Sequence, residues 1–346
     1  MRKLAVYPFT ERISFMSRFS SLIVDFDDLL LISSQKSELI CETPHGDKIT
    51  TDWSSVAAEA DAILLVQGIE DFEHYLNIIQ AFQFKDIYIE SELLGEFDFA
   101  GASVKINTLS KPSEIAPQTT AEKIFDIDIP VISIMSFGVE SGKFNLQLLV
   151  REFFIRSGYN VLQYGTKKIS PLFGFNSLPD FIFENISFSE KIIRLNHLIY
   201  KEAMAVNPDV IIIGAPGGIM PYNKYLNNYF GEIPLIIAKA FQIDINIIST
   251  YFIEDSPKRK EYFRSLRKLC IETFGCESTI FNFSNAYASF NREKNIPEYY
   301  LLGRDSVEQN LPKDDQIVFF NSIFGINENE ALAHIEQLLK SSPEQI

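Results

Sequence analysis

Short apolar runs at residues 4–7, 29–32, 62–66 and 87–89 alternate, over the first 125 residues, with amphipathic stretches such as 72–84. Runs of four to five apolar residues without polar alternation suit strands covered on both faces, and their alternation with helical segments is the rhythm of a parallel sheet. Residues 1–126 therefore predict a small doubly wound α/β domain. A polar segment at 109–120, rich in proline and hydroxyl side chains, marks the boundary. Beyond it the rhythm resumes. A strand is expected at 130–135, then a glycine-bearing turn, a helix at 145–157, a strand at 160–164 and a long loop. A helix at 189–205 and a strand at 209–213 come next, followed by apolar runs at 235–240 and 244–250. A helix at 258–273, apolar runs at 280–283 and 317–320 and a last helix at 327–340 complete residues 127–346. The expected class is α/β, with two doubly wound, mainly parallel-sheet domains.

The first strand runs into Pro8-Phe9-Thr10-Glu11-Arg12, which lacks the G-x-G-x-x-G that brings a pyrophosphate against backbone amides. The domain is thus Rossmann- or flavodoxin-like without a nicotinamide fingerprint. The second domain opens differently. Its strand ends at Ser136 and leads through Phe137-Gly138-Val139-Glu140-Ser141-Gly142-Lys143-Phe144 into a helix beginning near Asn145. Glycines that let amides curl around an anion, a helix amino terminus and a lysine are the parts of a phosphate-binding loop. Gly138, Gly142 and Lys143 supply them. Against G-x-x-x-x-G-K-[ST], Phe137 stands where the first glycine belongs and Phe144 where a hydroxyl binds Mg²⁺. A metal would need Ser141 or Glu140 instead. A tight strand-to-helix connection accounts for the same turn without any ligand.

Downstream, Pro208-Asp-Val-Ile-Ile-Ile-Gly-Ala-Pro-Gly-Gly-Ile-Met-Pro221 reads as a central strand ending in a glycine-rich loop. Ligands of open α/β sheets collect at such carboxyl ends. The arrangement resembles dethiobiotin-synthetase-like P-loop proteins, in which a strand ending Glu-Gly-Ala-Gly-Gly supplies a glutamate that helps hold magnesium. Here the corresponding residue is Ile213, which ligates nothing. The candidate ligand-binding set is Gly138, Glu140, Ser141, Gly142, Lys143, Phe144, Asn145, Gly165, Pro216, Gly217 and Gly218. Phe173 and Phe175, in a long loop after Gly165, either close over a ligand or plug the core beneath. Asn196 and His197 are auxiliary candidates, with a structural histidine the plainer reading.

Acidic residues outnumber basic ones 46 to 31, a net charge of −15 that repels nucleic-acid backbones and anionic bilayers. Neither partner is expected. No uncharged apolar run nears the roughly 18 residues of a membrane helix, and the amino-terminal apolar stretch is short for a signal peptide. Cys41, Cys270 and Cys276 form no C-x-x-C pair, which suits a reducing, cytoplasmic setting. Four scattered histidines, His45 among them, give no zinc spacing, and no G-x-S-x-G elbow exists, so no metal site and no catalytic nucleophile are assigned.

Several stretches together resemble the peptide maturation system proteins of clostridial-type gene clusters for ribosomally made, modified peptides. They are Lys3-Leu-Ala-Val-Tyr-Pro-Phe9, Lys143-Phe-x-x-Gln147 with Arg151-Glu152, Gly158-Tyr159, Leu172-Phe-Gly-Phe175, Asn196-His197 and the run 208–221. The resemblance implies a role beside a maturase and a transporter, with a precursor peptide or a peptide-modifying enzyme as partner. It implies no settled catalytic activity. Three functions follow: an accessory protein binding an anionic ligand or peptide at a degenerate phosphate loop, an ATP- or GTP-dependent enzyme of the same pathway, and a non-catalytic scaffold. ATP or GTP is the cofactor to test, with Mg²⁺ weakly supported, and the number of copies that assemble, a homo-oligomer included, is left open.

Overall fold

A computed structural model describes the chain except for residues 35–48, 100–105, 108, 110–122, 222, 224–227, 295 and 342–346. Cys41, His45 and most of the polar connector lie outside the described residues. The chain divides into two compact units, Met1–Pro112 with Lys167–Ser177, and Ser113–Thr166 with Leu178–Ile346.

In the first unit the strands run in the order Ile49–Thr50, Asp28–Ile32, Lys3–Tyr7, Ala62–Leu65, Asp86–Ile89 and Ile106–Asn107, all parallel. This is the 3-2-1-4-5-6 order of a doubly wound sheet. The apolar runs are its interior strands because both of their faces are covered: every residue of Ala62–Leu65 is buried. The intervening helices start where a side chain caps them. Asp52 accepts from the amides of Ser54 and Ser55 to open Trp53–Glu59, and Asp71 accepts from His74 to open Phe72–Ala81. The segment 167–177 also belongs here. Its Phe173 is 1% exposed, with its ring 6.0 Å from that of Phe15, and its Leu172 carbonyl accepts from the Val24 amide at 2.9 Å.

In the second unit the parallel order is Phe319–Phe320, Ser278–Phe283, Ile245–Thr250, Val131–Ser136, Val210–Gly214 and Val161–Gly165. Val131–Ser136, Ile245–Thr250 and Val210–Gly214 are buried at every position, so the carboxyl end of Val131–Ser136 opens between two buried neighbours. The helix after it is Lys143–Arg156, two residues earlier than the apolar pattern suggests. The helix Phe188–Val206 starts at Ser187, whose hydroxyl accepts from the Glu190 amide, and ends at Asn207 with φ of +48°. The apolar run at 235–240 falls in the helix Glu232–Ala240. An antiparallel hairpin, Ala286–Asn291 with Ile296–Leu301, and a helix Arg304–Asn310 follow the strand Ser278–Phe283, elements that the apolar rhythm does not announce. Among the described residues no helix is long and apolar enough to cross a membrane.

Candidate functional site

After Ser136 the chain makes a tight, internally bonded turn. Ser136 Oγ lies 2.8 Å from the Gly138 carbonyl and 3.3 Å from that of Gly217, and Ser141 Oγ donates to the Gly138 carbonyl at 3.0 Å. Glu140 and Gly142 both take positive φ, +57° and +72°. Glycine suits position 142 because its φ is left-handed, and a Cβ there would press on Ile323 Cδ1 at 3.2 Å. The turn delivers the chain into Lys143–Arg156. Among the described residues the amides of Ser141, Gly142 and Lys143 have no protein acceptor. Unsatisfied amides at a helix amino terminus carry partial positive charge and are ready to receive an anion.

Lys143 turns inward. Its Nζ donates to the carbonyls of Ala215 and Gly217, both at 2.7 Å, which joins the phosphate-loop motif to the glycine-rich loop that follows Val210–Gly214. Two of the ammonium's three protons are thereby used and one is left for a ligand. Burial pushes the Lys143 ammonium down from its ordinary value to about 7. Gly217 takes φ of +72°, which presents its carbonyl to the lysine.

A chain of buried polar groups holds the loop from behind. Ser249 Oγ donates to the Ser141 carbonyl, and Asn282 Nδ2 donates to Ser249 Oγ at 2.8 Å. Asn282 Oδ1 accepts from the Ser322 amide at 2.8 Å, and Asn145 Nδ2 donates to the Ser322 carbonyl at 3.0 Å. This circuit ties both flanks of the loop to the ends of Ile245–Thr250, Ser278–Phe283 and Phe319–Phe320. Tyr251 adds a hydroxyl donated to the Val139 carbonyl at 2.8 Å. Ser249, Tyr251, Asn282 and Ser322 were not among the sequence candidates. Their signal is a polar side chain at the carboxyl end of an otherwise apolar strand, as in Ile-Ile-Ser-Thr and Ile-Phe-Asn-Phe.

Gln147 has a comparable role on the other flank. It is fully buried, donates to the Lys143 carbonyl at 3.2 Å and to Thr166 Oγ1 at 3.0 Å, and accepts from the Thr166 amide at 3.1 Å. Its side chain occupies the space that a Cβ on Gly214 would fill, 2.5 Å from Oε1. Gly165 ends the strand Val161–Gly165 immediately before Thr166.

The loop suits an anion better than a divalent cation. Phe144 is 6% exposed and Ile213 is fully buried, so neither position offers an oxygen. The Ser141 hydroxyl is engaged by Gly138 within the turn. Among the described residues no group of three or more histidine, cysteine or acidic side chains is placed to hold a metal. Neither position at which the phosphate-loop motif holds magnesium carries an oxygen-bearing side chain here.

The remaining candidates lie elsewhere. Phe173 and Phe175 are packed into the first unit, 1% and 6% exposed, and act as plugs of its interior. Asn196 is fully buried and clamps Phe125: it accepts from the Phe125 amide at 2.7 Å and donates to the carbonyls of Phe125 and Ala240 at 2.9 Å. Ala240 ends the helix that precedes Ile245–Thr250, so Asn196 faces the amino edge of the sheet, opposite the loop. His197 Nε2 lies 2.8 Å from the Lys123 carbonyl, and its ring packs on Phe125. This pair fastens the incoming chain and is not brought to the phosphate loop. Cys270 and Cys276 are buried and free, and burial pushes both thiols up to about 12, far from a reactive thiolate.

No protein-family model matches the chain and no curated protein sequence matches it. Among solved structures, a protein of the DUF1611 family from Anabaena variabilis ATCC 29413 superposes with a TM-score of 0.56 at 9% identity, over 97% of this chain and 100% of that one. The α/β fold is shared over nearly the whole of this chain. A pseudomurein peptide ligase type C from Methanothermus fervidus matches with a TM-score of 0.28 and 12% identity, over 92% of this chain and 48% of that one. The kinase domain of the Escherichia coli tyrosine kinase ETK also gives 0.28 and 12%, over 51% and 72%. These last two likenesses are too slight to carry an argument.

Proposed function

We propose that the chain is an accessory protein of modified-peptide maturation that binds an anionic group, on a ligand or on a peptide, at the loop 138–145. One observation carries the anion site: the amides of Ser141, Gly142 and Lys143 have no acceptor among the described residues, while Lys143 Nζ is held inward on Ala215 and Gly217. The peptide-maturation setting rests on the sequence resemblance alone, above all on the run 208–221, which forms the wall that Lys143 touches. A phosphate, a pyrophosphate or a nucleotide's phosphate tail has the charge and oxygens such a cup accepts. Phosphoryl transfer with bound magnesium is disfavoured because Phe144 and Ile213 stand where its ligands belong.

Thermal melting with pyrophosphate, ATP, GTP and precursor peptide, each with and without Mg²⁺, tests the reading, because a ligand of the native state raises the midpoint. An upward shift independent of Mg²⁺, with no phosphate released from ATP or GTP, supports anion binding without hydrolysis. Mg²⁺-dependent phosphate release that disappears in Lys143→Met makes the chain a nucleotide-consuming enzyme. No shift with any of them leaves a scaffold.

A further inference from the structure

Beside the phosphate loop, and within the same unit, lies a cleft of about 520 Å³. That volume is in the range of sites that hold a small ligand or a long side chain. Its wall is contiguous with the loop. Phe137 begins the turn, Met220 and Pro221 follow the glycine-rich loop, and Tyr251 to Glu254 follow the strand Ile245–Thr250. Tyr262 enters from Arg259–Phe274 and Tyr287 from the hairpin strand Ala286–Asn291.

Half of the described lining residues are aromatic, and two of the rings are open to solvent, Tyr262 at 43% and Tyr287 at 41% exposure. Tyr251 is held in place, its hydroxyl on the Val139 carbonyl at 2.8 Å and its ring 5.7 Å from that of Tyr299. Hydrogen bonding of the Phe252 amide to the Ala286 carbonyl at 2.8 Å ties the strand end to the hairpin. The wall is therefore braced before any ligand arrives.

Glu254 supplies the one carboxylate among the described lining residues. It has no hydrogen-bond or ion-pair partner among the described residues. The nearest guanidinium along the chain, that of Arg259, is already committed: it pairs with Asp255 at 2.9 Å and donates to the carbonyls of Ile253 at 3.0 Å and Asn310 at 2.7 Å. A carboxylate with no cation partner among the described residues, set beside aromatic rings whose quadrupoles attract positive charge, is the chemistry that receives an ammonium or guanidinium. The net charge of −15 adds long-range attraction for the same sign.

We propose that the cleft bounded by Phe137, Tyr251, Tyr262, Tyr287 and Glu254 takes a cationic side chain, arginine or lysine, of an extended peptide. This deepens the proposed function by naming how a peptide is held beside the anion loop, and it stands or falls separately from that loop. The aromatic rings cover the alkyl stem and face of the cation, and Glu254 accepts from its N–H groups.

The test is a calorimetric titration with an end-blocked pentapeptide of glycine and serine carrying one central arginine, against the same peptide with citrulline, its uncharged isostere. The arginine peptide is expected to bind at least tenfold more tightly. Glu254→Gln should erase that preference, Tyr287→Leu should weaken the arginine peptide several-fold, and Glu272→Gln, a distant and exposed acid, should change nothing. Lys143→Met should leave the preference intact, so that failure of the anion loop and failure of the cleft are told apart. Equal affinity for the two peptides, a preference that survives Glu254→Gln, an equal loss on Glu272→Gln, or no binding at millimolar peptide would each overturn the proposal.

Discussion

Lys143 Nζ and the Gly217 carbonyl meet at 2.7 Å, and this contact joins two glycine-bearing loops that lie 74 residues apart in sequence. The lysine organises the carboxyl edge of the sheet before any anion is present. It does so from an environment that penalises its charge.

That penalty has a sign that can be measured. Burial lowers the Lys143 pKa to about 7 in the folded chain, while the unfolded chain keeps the ordinary lysine value of 10.5. Between these values the unfolded state binds more protons, so the contribution of this residue to stability rises with pH from about 7 to about 10.5 and is flat outside that window. The slope is at most about 1.4 kcal/mol per pH unit. Urea unfolding at half-unit steps from pH 6.5 to 10.5 should show this rise in the parent chain and its absence in Lys143→Met.

The same equilibrium governs ligand binding. An anion at the loop needs the charged ammonium, so binding near pH 8 takes up a proton and affinity falls as pH climbs above about 7. Sulfate is the suitable probe because its own charge is constant over this range. Its affinity should fall by up to about tenfold per pH unit between the lysine's pKa in the free protein, about 7, and the higher pKa it has in the complex. A pH-independent constant would place the anion away from Lys143.

Gly214 and Gln147 should be energetically coupled. Gly214→Ala drives a methyl to 2.5 Å from Gln147 Oε1, whose side chain is fixed by Thr166 and by the Lys143 carbonyl. Overpacking of this kind costs about 1–3 kcal/mol. Adding Gln147→Ala opens the space, and the double variant should be more stable than the sum of the two single losses by about 0.5–3 kcal/mol. Denaturant midpoints of the four proteins give the coupling directly.

Asn282 is the hub of the polar circuit. Its side chain donates to Ser249 Oγ and accepts from the Ser322 amide. Asn282→Ala leaves both buried partners without it, at a cost of about 1–3 kcal/mol. Amide hydrogen exchange in residues 138–145 should speed up in this variant, because the loop's support on Ser141 and Asn145 passes through the same circuit.

The alternation of apolar runs exposed both parallel sheets, because strands covered on two faces leave an unbroken apolar signature. The glycine-bearing turn from strand to helix was legible too, since glycines, a lysine and a following helix are a local pattern. What lay outside local pattern stayed hidden. Ala286–Asn291 and Ile296–Leu301 form a half-exposed hairpin in which Tyr287, Ser289, Glu298 and Tyr300 dilute any apolar run. Asn196 and His197 sit side by side in sequence, as functional pairs do, but their partners Phe125 and Lys123 are more than seventy residues away. Phe173 and Phe175 leave the second stretch of sequence to fill the first unit, which no local periodicity encodes. The Ser249 and Asn282 links likewise depend on strand order, which a chain read one residue at a time does not contain.

Calorimetric titration of pyrophosphate, in buffer containing EDTA at pH 7, tests the central claim most directly. The parent chain should bind one pyrophosphate without any divalent cation, and Lys143→Met should bind it at least tenfold more weakly while keeping its fold. No binding heat in the parent, binding that appears only when Mg²⁺ replaces EDTA, or an unchanged constant in Lys143→Met would contradict an anion site built from the loop amides and this lysine.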